Sequence, residues 1–432
     1  MKVLAEGQER CTLTDWLAYL ETLHPKTIDM GLERVDQVWR ELDLHPDFPI
    51  IIVGGTNGKG SVCTLLESIL TCAGYKVGCY TSPHLLRYNE RTRIHKQALD
   101  DGLLCRAFEH IDATRKNCNT SLTYFEFGTL AAMYLFVQDQ IDVAILEVGM
   151  GGRLDAVNIF EPDCSIITSV DLDHIEFLGD TREKIGFEKA AIFRQGKPAI
   201  CGDSSIPDSV QQQAQKIGAD FYCFAKDFGF VRRAMQWEFW SSRGKRHALP
   251  WPALRGVKQL QNASVCLMAM DALAGVLPVS MNAIRQGLVE AVIPGRFQVY
   301  STQPMIILDV AHNPGAALVL AENLSATKPV GRTFAVFAML QDKDIAGVIE
   351  IVKDNIDVWL IAAISSPRAA TVDDLRCIMV QSGIVNHQAI QSFPDCAAAF
   401  VYACERATKN DRICVFGSFY TVGDVLQHLN TL

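Results

Sequence analysis

Gly54-Gly55-Thr56-Asn57-Gly58-Lys59-Gly60-Ser61 follows an apolar run, PIIIV at 49–53, and leads into a helical pattern. Glycines at such a junction let successive backbone N–H groups turn toward a phosphate, and the helix that follows adds the positive end of its dipole. Gly55, Thr56, Asn57, Gly58 and Gly60 would line that cradle, Lys59 would reach the β/γ-phosphates, and the Ser61 hydroxyl would ligate Mg²⁺. The match to the standard phosphate loop is imperfect. Val53 stands where the first Gly of GxxxxGK belongs, and Gly60 separates Lys59 from Ser61. A Gly-rich turn with no ligand is the bland alternative, but such turns rarely combine three glycines, a lysine and a serine.

Three further constellations lie at the ends of apolar runs. Leu146-Glu147-Val148-Gly149-Met150-Gly151-Gly152-Arg153-Leu154-Asp155 puts Glu147 where a lone carboxylate is costly to bury unless it is paired or bound to metal. An ordinary turn with a solvated Glu would read the same way, and GMGGRL lacks the dinucleotide GxGxxG spacing. Ser169-Val170-Asp171-Leu172-Asp173-His174 is followed by Glu188-Lys189-Ala190-Ala191-Ile192-Phe193. Carboxylates and an imidazole at adjacent strand ends could complete an Mg²⁺ or phosphate site, although His174 reads equally well as a hydrogen-bonded loop residue and Lys189 as a solvated one. Leu308-Asp309-Val310-Ala311-His312-Asn313-Pro314-Gly315 places Asp309 and His312 after another apolar run. They could hold a ribose or phosphate across a cleft between domains, or simply belong to a capped helix start.

The elements that would position these groups alternate along the chain. PIIIVGG (49–55), VGCYTS (77–82), VAILEVG (143–149), CSIITSV (164–170) and KPAICG (197–202) read as parallel strands covered on both faces, with helical patterns such as 61–74 between them. A second series follows the Pro294-Gly295 pair: 305–311, 334–340, 358–365 and 412–419. The expected architecture is α/β. It has a large N-terminal doubly wound domain of the P-loop type at 1–296 and a smaller Rossmann-like α/β domain at 297–432, with 203–256 a peripheral, partly β insertion. At 432 residues the chain is long enough for two or three domains. Its 40 Lys and Arg against 49 Asp and Glu leave a charge of −9, which argues against broad capture of nucleic acid or an anionic membrane. No apolar run nears the roughly 18 to 20 residues of a membrane span, and the N-terminus lacks a signal-peptide pattern. The 14 scattered cysteines, none in a CxxC pair, fit reduced thiols in a cytoplasmic enzyme.

Taken in order, GTNGKGS, TSPHL (81–85), LEVGMGGRLDAVN (146–158), DLDHIEFLG (171–179), EKAAIF (188–193), PGRF (294–297) and DVAHNPGA (309–316) resemble the folylpolyglutamate synthases. The likeness is nearest to their bacterial bifunctional dihydrofolate synthase/folylpolyglutamate synthase branch of the Mur ligase superfamily. Gly60 after the loop lysine sets this family apart from the related Mur ligases. The resemblance implies Ser61 and Glu147 as ligands of a first Mg²⁺ and His174 as a ligand of a second. Lys189 matches a lysine that is carbamylated in the family, which would make it an anionic oxygen donor. Asn262, Arg296, Asp309 and His312 match positions that grip ATP, and Thr123, Phe125 and Asp155 resemble the pterin-binding positions. A carboxylate could pair with the amidine-like edge of a pterin while an aromatic ring stacks on its face. Phe125 in the core and Asp155 as a turn cap is the alternative. Ala191 departs from the glycine common in relatives and leaves the lysine in place.

The implied reaction is ATP-driven amide formation through an acyl phosphate, with Lys59, His174 and Lys189 as the catalytic set. Two Mg²⁺ ions serve it, its substrates are dihydropteroate, reduced folates and L-glutamate, and the protein is a monomer by the family default. No nucleic acid or membrane partner is expected. A monofunctional folylpolyglutamate synthase and a muramyl-precursor ligase are the alternatives. A regulatory P-loop switch is a third reading, against which stands the absence of NKxD, the guanine-reading motif.

Overall fold

Strand Ile50–Gly54 is buried at every residue, and the order of its neighbours explains why its carboxyl end is special. The chain moves to one side of it to form Val77–Tyr80 and Val143–Glu147, then to the other for Cys164–Ile167, Pro198–Cys201 and Asp220–Cys223. All six strands are parallel. A change of direction in such a sheet opens a crevice at the strands' carboxyl ends, the usual ligand position of open α/β sheets. Two short antiparallel strands, Thr92–Ile94 and Gln97–Ala98, finish the edge beyond Val77–Tyr80.

In this computed structural model residues 11–26, 28–327, 331–384 and 390–431 are described. They divide into two compact units, the first drawn from 11–84, 88–251 and 260–291 and the second from 85–87, 252–259 and 292–431. In the first, apolar side chains of helix Tyr124–Gln138 (Ala132, Met133, Phe136) and helix Arg182–Ala190 (Ile185, Ala190) join Ile50, Ile52, Ala144 and Leu146 of the sheet in one core. Helix Lys59–Cys72 buries Val62, Cys63, Leu65, Leu66, Ile69 and Leu70, so it is covered nearly all round. Helices Leu13–Leu23 and Glu33–Leu42 pack Trp16, Leu20, Val35 and Val38 against Phe108, Phe127 and Leu130 in a second cluster.

The second unit carries a six-stranded sheet in the order 298–302, 305–309, 412–416, 333–337, 358–362, 390–393. Only its first strand is antiparallel. Apolar clusters cover both faces, as parallel strands require. Among the described residues no helix is long and apolar enough to cross a membrane.

Three boundaries differ from the sequence expectation. The helix expected over 61–74 begins two residues earlier, at Lys59, so the lysine and Ser61 are its first turn and Gly58 is its N-cap. The strand expected over 164–170 ends at Ile167, because Thr168 to Asp171 leave the ladder to hydrogen-bond the Gly-rich loop. The insertion also starts later than residue 203. Helix Asp208–Ile217 and strand Asp220–Cys223 belong to the main sheet, and only Phe228–Arg232, Trp237–Ser241 and Gly244–Leu249 form a separate antiparallel sheet.

Candidate functional site

The Gly-rich loop is fixed from behind before any ligand arrives. Thr56 N donates to Ser169 O at 2.8 Å and Asn57 N to Ser169 Oγ at 3.0 Å, while Thr168 Oγ1 donates to Asn57 O at 2.7 Å. Gly55 sits at φ +137°, and a Cβ there would overlap Thr168 Oγ1, so only glycine allows this close approach. Gly58, at φ +90°, lies under Asn262, whose Oδ1 would stand 3.1 Å from an added Cβ. Asn262 lies on helix Gln259–Ala272, so the loop and that helix are in contact. Lys59 Nζ donates to Gly55 O at 3.0 Å and Thr56 O at 3.3 Å, folding its charge over the loop. Ser61 is buried in the first turn of the helix.

Glu147 ends its strand buried, and its Oε2 accepts the Ser82 N–H at 3.1 Å. The glycine turn after it packs on the Lys189 helix: a Cβ on Gly152 would come 2.8 Å from Glu188 O, and Arg153 N donates to Glu188 O at 2.9 Å. Lys189 is only 4% exposed and its ammonium has no hydrogen-bond or ion-pair partner among the described residues. Burial, then the nearby Lys59 charge, push its pKa down to about 7, against the opposing pull of Asp173 and Asp155. His174 is at φ +51°, ahead of the short helix Ile175–Leu178, with its Nε2 3.9 Å from Asp173 Oδ1. Lys59, Asp155, Asp173 and Lys189 thus feel one another's charge, although they are scattered over 130 residues of sequence.

Two of the three expected pterin contacts turn out to have structural work as well. Thr123 is the N-cap of helix Tyr124–Gln138 and closes a capping box with Glu126. Asp155 is buried, and its two oxygens accept Met150 N at 2.8 Å and Val157 N at 3.1 Å. Loss of solvent pushes its pKa up to about 6, with those N–H donors and Lys59 working against the rise. Phe125 lies over Gly149, where a Cβ would come 2.8 Å from its ring, and it meets the Tyr80 ring at 5.8 Å. Asp155→Asn should therefore lower stability even without ligand, since one N–H loses its acceptor, at about 1–3 kcal/mol. A melting temperature equal to the parent's in ligand-free thermal unfolding would show that these two bonds carry no weight.

In the second unit, Asp309 ends strand Met305–Asp309 and accepts Phe297 N and Ala311 N, both at 2.8 Å. Burial raises its pKa, and Arg296 opposes the rise. His312 Nδ1 stands 2.8 Å from Val310 O, and its ring is 6.0 Å from that of Phe419. The Arg296 guanidinium lies 5.2 Å from the same ring. Asn313 caps helix Pro314–Ala326 with proline in the first turn, so the capped-start reading holds for Asn313 while Arg296, Asp309 and His312 gather beside it. The strand expected over 412–419 ends at Phe416, and Phe419 opens helix Phe419–Leu429 behind its N-cap Ser418. No sequence signal points to the neighbours that Phe419 meets, nor to Thr168, which clamps the Gly-rich loop. Among the described residues no three His, Cys, Asp or Glu side chains form a ready metal cage.

The chain matches the Mur ligase middle domain over residues 53–270 and the Mur ligase glutamate ligase domain over 295–419. It is 44% identical over 421 residues to the dihydrofolate synthase/folylpolyglutamate synthase of Escherichia coli K12, covering 97% of this chain and 96% of the relative. The structure of the E. coli enzyme in complex with DHPP and ADP superposes with a TM-score of 0.92 at 44% identity, covering 97% of this chain and 98% of that one. The bifunctional enzyme of Yersinia pestis, complexed with AMPPNP and Mn ion, gives 0.91 at 44% identity, covering 99% and 100%.

Proposed function

The chain belongs to the dihydrofolate synthase/folylpolyglutamate synthase family of Mur ligases, and from that premise we infer how its residues carry the reaction. It is an ATP-dependent ligase that joins L-glutamate to dihydropteroate and to reduced folates. One observation carries this: likeness to bifunctional enzymes along the whole chain, with both Mur domains in order. We assign the phosphate loop and the pterin or folate acceptor to residues 1–296, and the glutamate-ligase role, with the ATP contacts Asp309 and His312, to 297–432.

A carboxylate cannot be attacked by an amine at neutral pH, because its oxygen is a poor leaving group. Transfer of the γ-phosphoryl group to the acceptor carboxylate gives an acyl phosphate and ADP; the glutamate amine then adds, and phosphate leaves. The chain's contribution is positioning and charge. The N–H groups at the start of helix Lys59–Cys72 hold the phosphates, since Thr56 N and Asn57 N already donate to Ser169, and Lys59 leaves its two carbonyl partners to meet the β/γ-oxygens. Asn262, Arg296, Asp309 and His312 are proposed ATP contacts, and Thr123, Phe125 and Asp155 the pterin-binding positions.

The donor set fits a divalent metal. Ser61, Glu147, His174 and a carbamylated Lys189 are hard oxygen and nitrogen donors, and an incomplete cage suits Mg²⁺, which is usually held by one or two carboxylates plus substrate phosphates. Two such ions would neutralise phosphate charge during transfer. Lys189 supports the carbamate because a buried amine with its pKa pushed down to about 7 is neutral in about half of the molecules at pH 7 and can add to CO₂. All fourteen cysteines are free, which supports the reducing cytoplasm as its compartment, and we take the monomer as the working state.

The test is ADP release with dihydropteroate, tetrahydrofolate or a muramyl precursor, each with and without L-glutamate. Turnover on the first two, and only with glutamate, is expected. Turnover on one folate acceptor alone would make the enzyme monofunctional, turnover on the muramyl precursor would move it to the peptidoglycan ligases, and glutamate-independent hydrolysis would leave only a nucleotide switch.

A further inference from the structure

Arg91 and Arg93 stand two residues apart at the sheet edge, and their surroundings differ sharply. Arg93 is tied to buried Glu67, with Nη2 2.9 Å from Oε2. Arg91 is half-buried, yet no carboxylate among the described residues lies within ion-pair distance of it. Its Nε donates to His84 Nδ1 at 2.9 Å, and its guanidinium lies 5.4 Å from the Tyr88 ring centre and 5.3 Å from that of Tyr124. Burial, then the Arg91 charge, hold the His84 pKa down at about 4, so the imidazole is neutral and can accept. Arg91 therefore has no ion-pair partner among the described residues, although the Glu90 charge also reaches His84, and its guanidinium is oriented by rings and a neutral acceptor.

Its position is informative. Thr81 N donates to Arg91 O at 2.8 Å, and the next residue, Ser82, donates to Glu147. Tyr80 lies within electrostatic reach of both Arg91 and Asp155, and its ring packs on Phe125. An aromatic floor thus runs from the carboxylate proposed for the pterin edge to an uncompensated cation one short loop away from Glu147.

The two acceptors differ at one end. Dihydropteroate has one carboxylate, and that one reacts. A glutamyl folate ends in two, so one must be held while the other is phosphorylated. We propose that Arg91 binds the non-reacting carboxylate of the terminal glutamate, with His84 as its positioning residue, and so serves chain extension rather than dihydrofolate synthesis. An uncompensated guanidinium suits this because it forms paired hydrogen bonds with a carboxylate and stays charged when half-buried. The inference rests on the bifunctional reading above.

The experiment compares both acceptors on one variant. Arg91→Gln should raise KM for tetrahydrofolate about 10- to 100-fold, the usual range for losing a hydrogen bond to a charged group. KM for dihydropteroate, ATP and glutamate should stay within about threefold on the same basis, and dihydropteroate turnover shows that the variant is folded. Arg91→Lys should recover part of the loss, and it gives the reading if the Gln variant does not fold. Equal losses on both acceptors would make Arg91 a packing residue, and no loss on either would remove it from the site. A parent that acts on neither acceptor would refute the bifunctional reading itself, which the assay of the unmodified protein establishes first.

Discussion

Lys59→Ala should lower ADP release by about a thousandfold or more on both acceptors, which corresponds to about 4 kcal/mol of lost transition-state stabilisation. The loop amides stay in place, because they are oriented by Thr168 and Ser169 and not by the lysine. What disappears is the one cation at the start of the helix that can follow charge onto the β/γ-oxygens. The two hydrogen bonds from Nζ to Gly55 O and Thr56 O are also lost, at about 0.5–1.5 kcal/mol each, so the melting temperature should fall by only a few degrees. Steady-state ADP release and a thermal melt on the same preparation check this. Turnover within tenfold of the parent would sink the phosphate cradle as the site of phosphoryl transfer.

Lys189→Ala should abolish turnover, with partial rescue by formate or acetate and none by small amines. An added carboxylate can replace the anionic oxygen of a carbamate, whereas rescue by amines would mean that the lysine acts as a cation. Carbamate formation consumes the neutral amine and releases a proton, so occupancy should rise with pH through about 7. A ¹³C-bicarbonate NMR titration reads that occupancy directly. The stability of CO₂-free protein carries the same signature. The folded pKa of about 7 lies below the ordinary 10.5, so between those values the unfolded chain holds a proton that the folded one has released. Stability should rise with pH across that window, and below pH 7 the full penalty of a buried ammonium remains. Lys189→Ala should flatten the rise. A parent curve already flat from pH 7 to 10 would place the ammonium in contact with solvent.

The sequence by itself determined the local half of this protein. Continuous apolar runs marked the parallel strands because strands covered on both faces have no polar face to alternate with. GTNGKGS marked a Gly-rich strand-to-helix loop, and glycine, lysine and a hydroxyl in that order are what make it the candidate phosphate cradle. The Pro294-Gly295 pair fell close to the passage between the two units, where Gly295 takes φ +70°. Strand ends were less legible. Ile167 and Thr168 have similar strand preference, and it is the hydrogen bonds from Thr168 and Ser169 to the loop that decide where the ladder stops.

Only the tertiary structure decided which charges share a neighbourhood and in what state. Lys189 reads in sequence as an ordinary helix lysine. Its pKa falls to about 7 because the glycine turn at 149–152 closes over its helix and buries it, and Lys59 stands nearby. Asp155 and Thr123 look like free polar groups in the sequence, yet backbone N–H groups from their own turns already occupy them. Arg91 and Arg93 are alike in type and spacing, and only the sheet edge gives one a carboxylate partner and leaves the other without. Pairing across 25 to 130 residues depends on strand order and desolvation, and neither is written in any local stretch of chain.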